Sequence, residues 1–248
     1  MKNFRLIRSK AASAAYNMEL DEKIFSRYLQ DNIGVFRIYS WQSPSFTYGF
    51  SQNAQEEIDL PRYAVKGVQV VKRMTGGGIL FHDNEITYSF ACGKDDLGEP
   101  EGVFVSYRNV CQFLMRFYKS LGLIPEFALQ EKNFKKRSFA HQLCSASREK
   151  YDIVIGGRKI GGNAQKRKRQ AIFQHGSIPL SIDWNFARGY VKSLPPDIQS
   201  SVTSLQEELK EITPRGILEK KLIDSFAETF GINFIEEEEF IYETCLAQ

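Results

Sequence analysis

Three consecutive glycines at residues 76–78 constrain the fold of this 248-residue chain more than any other feature. They lie between residues 68–71 and residues 86–91, two segments rich in the β-branched and aromatic residues that favour strands. Glycine weakens the interior of a helix or strand and is suited to turns. The sequence therefore predicts a loop between two strands, with a backbone that a ligand can approach closely.

A pair of glycines, Gly156 and Gly157, predicts a second turn. The apolar residues 153–155 precede the pair and residues 158–160 follow it, and adjacent glycines accept the positive φ angles of a tight β-hairpin turn. The pattern predicts a hairpin with Lys159 on or just after the returning strand.

Apolar residues recur at helical spacing at residues 14–29, 110–121 and 218–230, and each segment predicts an amphipathic helix. Residues 35–41 predict a further strand because they are rich in β-branched and aromatic side chains. Strands joined by hairpins, together with long helices, indicate an α+β fold in which helices cover a sheet.

No internal repeat or low-complexity linker divides the sequence. We therefore expect one domain over residues 1–248, with a core at about residues 11–180 and a helical C-terminal portion at about residues 181–248. The sequence contains no apolar run of about 18 residues and no apolar signal core near its N-terminus. These features favour a cytoplasmic protein without a membrane partner.

The cysteines argue against a metal site. Cys92, Cys111, Cys144 and Cys245 include no C-x-x-C pair, so neither a zinc site nor a disulfide framework is expected.

The formal net charge of +3 is too small to indicate a nucleic-acid partner, although residues 166–169 form the basic run Lys-Arg-Lys-Arg.

Two segments, at residues 73–83 and 157–165, contain more Gly, His, Lys and Asn than a scaffold needs. Consecutive glycines can turn backbone N–H groups toward an anion or a carbonyl oxygen. The spacing fits neither G-x-x-x-x-G-K-[ST] nor G-x-G-x-x-G, and a plain hairpin turn is an equally open interpretation. Both segments are candidate walls of one site.

Longer motifs carry a resemblance to a known family. Residues 73–78 read Arg-Met-Thr-Gly-Gly-Gly, His-Asp follows at residues 82–83, and Glu-Ile-Thr-Tyr-Ser-Phe follows at residues 85–90. Together with residues 157–165 and 174–178, they resemble the glycine-rich and lysine motifs of the lipoate-protein ligase and octanoyltransferase family, which belongs with the biotin ligases. The likeness extends over about residues 11–180 and is nearest to the cysteine-dependent octanoyltransferases.

The resemblance implies a mixed, largely antiparallel sheet flanked by helices, with an acyl pocket between the glycine-rich loop and the lysine strand. Lys159 would hydrogen-bond the acyl carbonyl and stabilise a tetrahedral oxyanion; a solvated strand lysine is the structural alternative. The implied substrate-binding residues are Arg73, Thr75, Gly76, Gly77, Gly78, His82, Gly161, Gly162, Asn163, Ala164, His175 and Gly176. For both histidines a purely structural role stays open.

The resemblance makes Cys144 the candidate nucleophile. It lies 15 positions before Lys159 and precedes Tyr151 and Asp152, as in the cysteine-dependent octanoyltransferases. Residues 145–149 read Ser-Ala-Ser-Arg-Glu and depart from the aromatic, acidic and proline residues of that pattern. A thiolate can accept an acyl group from a carrier thioester and pass it to an amine, without ATP or another cofactor.

Three functions follow. The first is transfer of an octanoyl or lipoyl group from acyl carrier protein to a lysine of a lipoyl domain or of a glycine-cleavage H-type carrier protein. The second is an ATP- and Mg-dependent lipoate-protein ligase, and the third is a noncatalytic carrier-binding module. Because such carriers are acidic, the basic run at residues 166–169 would attract them. No DNA-binding domain is expected, since the resemblance begins near Ala11.

Overall fold

The fold is a layered α+β structure. The computed structural model describes residues 1–53, 67–98, 103–130, 149–191, 197–209 and 211–239. The strands are β1 (Lys2–Ala12), β2 (Val35–Trp41), β3 (Ser45–Tyr48), β4 (Gln69–Lys72), β5 (Leu80–His82), β6 (Glu85–Gly93), β7 (Pro125–Phe127), β8 (Ile153–Ile155), β9 (Arg158–Ile160), β10 (Gly162–Arg167), β11 (Ala171–Pro179), β12 (Val202–Thr203) and β13 (Ile232–Glu236). The helices are α1 (Ala14–Asp31), α2 (Val103–Val110), α3 (Gln112–Ser120), α4 (Trp184–Arg188), α5 (Ile198–Ser201), α6 (Leu205–Glu208) and α7 (Arg215–Phe230).

The largest sheet has the strand order β10-β11-β6-β2-β1-β13. Pairing is antiparallel from β10 to β2, whereas β1 runs parallel to both of its neighbours. One face packs against α3 and α7 through aromatic residues such as Phe36, Phe113 and Phe226. The other face packs against Ile24 and Phe25 of α1. The expected mixed, largely antiparallel sheet flanked by helices is therefore confirmed.

Two smaller sheets carry the segments that the sequence singled out. One has the order β12-β9-β8-β7 and contains the hairpin of Gly156 and Gly157, with Lys159 on the returning strand as predicted. The other has the order β4-β3-β5, and the glycine-rich loop connects its outer strands. Strands β10 and β11 form a further hairpin; Lys166 and Arg167 end β10, and Lys168 and Arg169 lie in the turn at its tip.

Helix ends follow local capping chemistry. The Ser13 side chain accepts a hydrogen bond from the Tyr16 N–H at the start of α1, and Asn32 ends the helix in the left-handed conformation. Pro214 precedes α7, and Gly231 ends it with φ of 61°.

Within the described residues, no helix is both long and apolar enough to cross a lipid bilayer.

The C-terminal part of the chain contributes strands as well as helices. β12 joins the sheet of Lys159, and β13 joins the largest sheet beside β1. Neither β1 nor β13 was predicted from the sequence. The single-domain organisation stays a prediction.

Candidate active site

Arg73 holds the glycine-rich loop in shape. Its buried guanidinium donates hydrogen bonds to the backbone oxygens of Thr47 at 3.1 Å, Gly76 at 2.8 Å and Gly78 at 2.6 Å. These bonds turn two loop carbonyls toward Arg73, while Gly76 and Gly77 stay exposed. The loop is therefore ordered by the protein itself, which is the preorganisation that binding of a charged or polar group requires.

Gly49 fixes the loop from the other side. A Cβ added at Gly49 would lie 2.1 Å from the backbone oxygen of Gly77. The next residue, Phe50, donates its N–H to the backbone oxygen of Thr75 at 2.8 Å. Only glycine allows this close approach of the two backbones.

His175 connects the loop to helix α1. Its Nε2 lies 2.7 Å from the Thr75 hydroxyl, and its Nδ1 lies 3.1 Å from the Asp21 carboxylate. Burial lowers the pKa of His175, and the nearby Arg73 also lowers it, although Asp21 opposes the shift. Burial alone would raise the pKa of Asp21, but His175 and Arg37 outweigh it, so the pKa is lowered and Asp21 stays charged.

His82 belongs to a second buried network. Its Nε2 lies 2.8 Å from the Thr47 hydroxyl, its Nδ1 lies 2.9 Å from Glu85, and its ring stacks on Trp41. Burial would raise the pKa of Glu85, but His82 and the hydroxyl of Ser177 outweigh it, and the pKa is lowered. Both motif histidines thus support the loop and its neighbouring strands. Substrate contact by either one stays a prediction.

Lys159 is buried on β9 and is only 3% exposed. The alternative of a solvated strand lysine is therefore wrong. Its Nζ lies 2.9 Å from the Asp152 carboxylate, which also accepts a hydrogen bond from the Glu149 N–H at 2.7 Å. A buried ammonium needs such a partner, because desolvation otherwise makes its charge costly. Asp152 thus belongs to the site, whereas sequence analysis used it only to place Cys144.

The lysine motif continues into β10. Gly161 has φ of +73°, and a Cβ there would lie 2.1 Å from the Ser177 oxygen. Asn163 accepts a hydrogen bond from the Tyr88 hydroxyl at 2.7 Å, and a Cβ added at Gly176 would come within 2.1 Å of that Asn163 oxygen. Several glycines of the motif therefore serve close backbone packing.

The two motifs meet at a small cavity. Leu80, which follows the glycine-rich loop, lies beside Gly162, and both line a space of about 40 Å³ together with Gly161. Engineered apolar cavities that admit benzene are about 150 Å³. Strand β5, which follows the loop, thus lies beside the lysine motif, but this cavity is smaller than an octanoyl chain needs. The acyl pocket stays a prediction.

The structure brings several of the other predicted site residues together. Arg73, Thr75, His82 and His175 are brought together by the networks above, and Ala164 pairs with His175 across β10 and β11. Cys144 and Cys245 lie outside the described residues. Cys92 and Cys111 are buried in the core, and burial raises the pKa of both thiols, which makes them poor nucleophiles. In the described ranges, no group of three or more His, Cys, Asp or Glu side chains is arranged to hold a metal.

At some glycines an added Cβ would clash with neighbouring atoms, and at others it would meet open space. Substitution by alanine tests this difference. Gly161→Ala should destabilise the fold by about 1–3 kcal/mol, because its Cβ meets the Ser177 oxygen and its φ is positive. Gly76→Ala is the matched control, since its Cβ would contact nothing within 4 Å. Chemical denaturation measures both. Equal stability losses would contradict this assignment, whereas lost activity in a stable Gly76→Ala protein would indicate that the substrate approaches Gly76.

Comparison with known proteins shows which family this chain resembles. A family model described as the lipoyl protein ligase A/B catalytic domain matches residues 13–230. Curated relatives named octanoyltransferase LipM are 30% identical in Kyrpidia tusciae, over 93% of this chain and 88% of the relative, and 32% identical in Bacillus cereus, over 89% and 82%.

Solved structures share the fold. A lipoate-protein ligase A bound with ATP has a TM-score of 0.79 at 23% identity, covering 100% of this chain and 93% of that one. A bipartite lipoate protein ligase from Thermoplasma acidophilum has a TM-score of 0.77 at 20% identity, covering 100% and 91%.

Proposed function

The chain belongs to the lipoyl protein ligase A/B catalytic domain family, and from this membership we propose that it is an octanoyltransferase of lipoate assembly. The relatives named octanoyltransferase LipM, similar over most of both chains, support this activity. In full, the proposal is that the enzyme moves an octanoyl group from acyl carrier protein through a Cys144 thioester. The acceptor is a lysine of a lipoyl domain or of a glycine-cleavage H-type carrier protein.

The single observation that best supports the chemistry is the buried Lys159. Its ammonium is shielded from water and lies 2.9 Å from the Asp152 carboxylate, two residues before Gly161 in the chain. In such surroundings a fixed cation stabilises a developing oxyanion far more than it does in water. Lys159 can serve in either the transferase or the ligase mechanism, since both pass through a tetrahedral acyl centre.

The proposed reaction has two thioester steps. The Cys144 thiolate attacks the carbonyl of the octanoyl-carrier thioester, and the carrier thiolate leaves and takes up a proton. The neutral amine of the acceptor lysine then attacks the enzyme thioester, loses a proton and forms an amide, while Cys144 leaves as the thiolate. One thioester replaces another in the first step, so no ATP is consumed.

One assay distinguishes the transferase from two alternatives, an ATP-dependent ligase and a noncatalytic carrier-binding module. The ligase structures at 20–23% identity share the fold, which serves several activities. Purified protein is incubated with an acceptor lipoyl domain and either octanoyl-carrier protein or free octanoic acid, with and without ATP, and the acceptor is weighed. Octanoylation without ATP supports the transferase. Modification only from free acid with ATP would show that the protein is a ligase. No modification under any of these conditions would support a noncatalytic carrier-binding module.

The hairpin tip supplies a prediction about carrier docking. Reversing Lys168 and Arg169 to Glu should lower kcat/KM for the carrier donor about tenfold at low salt and flatten its salt dependence, because acidic partners are no longer attracted. Single-turnover transfer from the preformed acyl-enzyme should stay unchanged. The control reverses the exposed Lys10 and Lys119, which changes net charge equally. If the salt dependence of kcat/KM were unaltered in the hairpin variant, the basic run would have no role in carrier docking.

A further inference from the structure

A second polar feature lies beyond the glycine-rich loop. It is an open cleft of about 240 Å³, here called the basic cleft, lined by Glu22, Phe25, Ser26, Phe50, Lys72, Arg73, Met74, Lys166 and Lys168. Arg73 is already engaged with the loop carbonyls. The chemistry of the cleft therefore rests on its three lysines and its two phenylalanines.

The lysines lie close to two aromatic rings, the exposed Phe50 and the buried Phe25. The Nζ of Lys72 lies 4.6 Å and that of Lys166 5.8 Å from the ring centroid of Phe50, which is 62% exposed. The Nζ of Lys168 lies 5.8 Å from the ring centroid of Phe25. Cation–π contacts of this kind hold ammonium groups in place but do not neutralise their charge.

The three ammonium groups of the cleft are not paired with a carboxylate in the part of the chain that the structure describes. Within the described residues, Lys72, Lys166 and Lys168 form no ion pair, not even with Glu22, the acidic residue in the lining. Three like charges around one cleft repel one another. A bound anion would remove this repulsion, and a phosphate is the anion that lysine commonly binds as a point charge.

The walls of the cleft are extensions of the two motifs. Phe50 is hydrogen-bonded to the loop through Thr75, and Lys72 directly precedes Arg73. Lys166 lies on β10 on the same face as Gly162, because side chains alternate along a strand. The four residue steps between Gly162 and Lys166 span about 13 Å. The cleft thus lies about 13 Å along β10 from Gly162 of the lysine motif.

We infer that the basic cleft binds the phosphate of the phosphopantetheine arm on which the donor presents its acyl group. The inference rests on the proposed carrier-thioester donor. About twelve bonds separate the phosphate oxygen from the sulfur of this arm, and they extend over roughly 14 Å, since three chain bonds cover about 3.6 Å. A phosphate held near Lys166 therefore places the thioester beside Gly161 and Gly162. The distance between the motifs and the cleft matches the length of the arm.

Two carrier-free ligands that differ only in the phosphate test this inference. Calorimetry compares 4′-phosphopantetheine with pantetheine, and steady-state kinetics compares their octanoyl thioesters. Wild-type protein should favour the phosphorylated forms by about tenfold, as expected for hydrogen bonds to a charged group. Lys72→Ala/Lys166→Ala should abolish that preference, Lys72→Ala alone should reduce it, and the control Lys10→Ala/Lys119→Ala should retain it.

The outcomes separate this inference from the proposed function. If wild-type protein used both octanoyl thioesters with equal kcat/KM, the cleft would not be a phosphate site. The proposed transferase activity would still stand. Absence of transfer, with phosphopantetheine binding that still depends on Lys72 and Lys166, would overturn the transferase and leave the site. Binding of ATP that is lost in the double variant, without any preference for the phosphorylated arm, would assign the cleft to a nucleotide and also overturn the inference.

Discussion

Cys144→Ala should lose octanoyl transfer by at least about 10³-fold, because removal of a covalent nucleophile eliminates the pathway that it carries. Wild-type protein mixed with octanoyl-carrier protein, but no acceptor, should gain one octanoyl mass on the peptide that contains Cys144. The adduct should be labile to hydroxylamine, as thioesters are. Steady-state kinetics should be ping-pong, since each carrier protein docks in turn.

Cys245→Ala is the control for this experiment and should retain both the adduct and the transfer. The buried Cys92 and Cys111 are unsuitable controls, because changing either disturbs the core. If Cys144→Ala still octanoylates the acceptor, direct attack on the bound donor replaces the acyl-enzyme. An octanoyl mass on any other cysteine would likewise move the nucleophile away from Cys144.

Lys159→Ala should lower acyl transfer by about 10²–10³-fold, the usual cost of losing one oxyanion donor. The structure adds a second expectation. Removal of the ammonium leaves the Asp152 carboxylate in a buried position without its 2.9 Å partner, which typically costs about 3–5 kcal/mol of stability. Lower activity in this variant therefore combines lost catalysis with weakened folding.

A double variant separates the two effects. Lys159→Met with Asp152→Asn removes both charges, and the amide oxygen of the substituted side chain would still be able to accept the hydrogen bond from the Glu149 N–H. Thermal unfolding should show most of the stability restored, as when a buried ion pair is replaced as a unit. Transfer should stay impaired. Near-normal turnover in the stable double variant would refute a catalytic role for Lys159.

Local features of the fold follow from the sequence, whereas distant partners do not. The hairpin at Gly156 and Gly157 and the helix ending at Gly231 depend on a few adjacent residues, and both were predicted. β1 was missed because charged residues interrupt its apolar pattern. Arg5 of β1 pairs with Asp31 and Glu237, which are remote in sequence.

The site shows the same division. The motifs identified Lys159, His82 and His175, but not the Asp21 that contacts His175 from 154 residues away. A signal for it does exist, because Asn17 and Asp21 interrupt the buried stripe of α1 with polar side chains. Polar residues on the apolar face of a helix indicate a buried network. The sequence does not show which residue completes that network.

The parallel pairing of β1 with β13 determines when the fold can be completed. Lys2 lies opposite Ile232, so β1 finds its outer neighbour only after residues 232–236 have been synthesised. Contacts at such sequence separation form slowly, since a very long loop must close first. Until then β1 is an exposed edge that other chains can join.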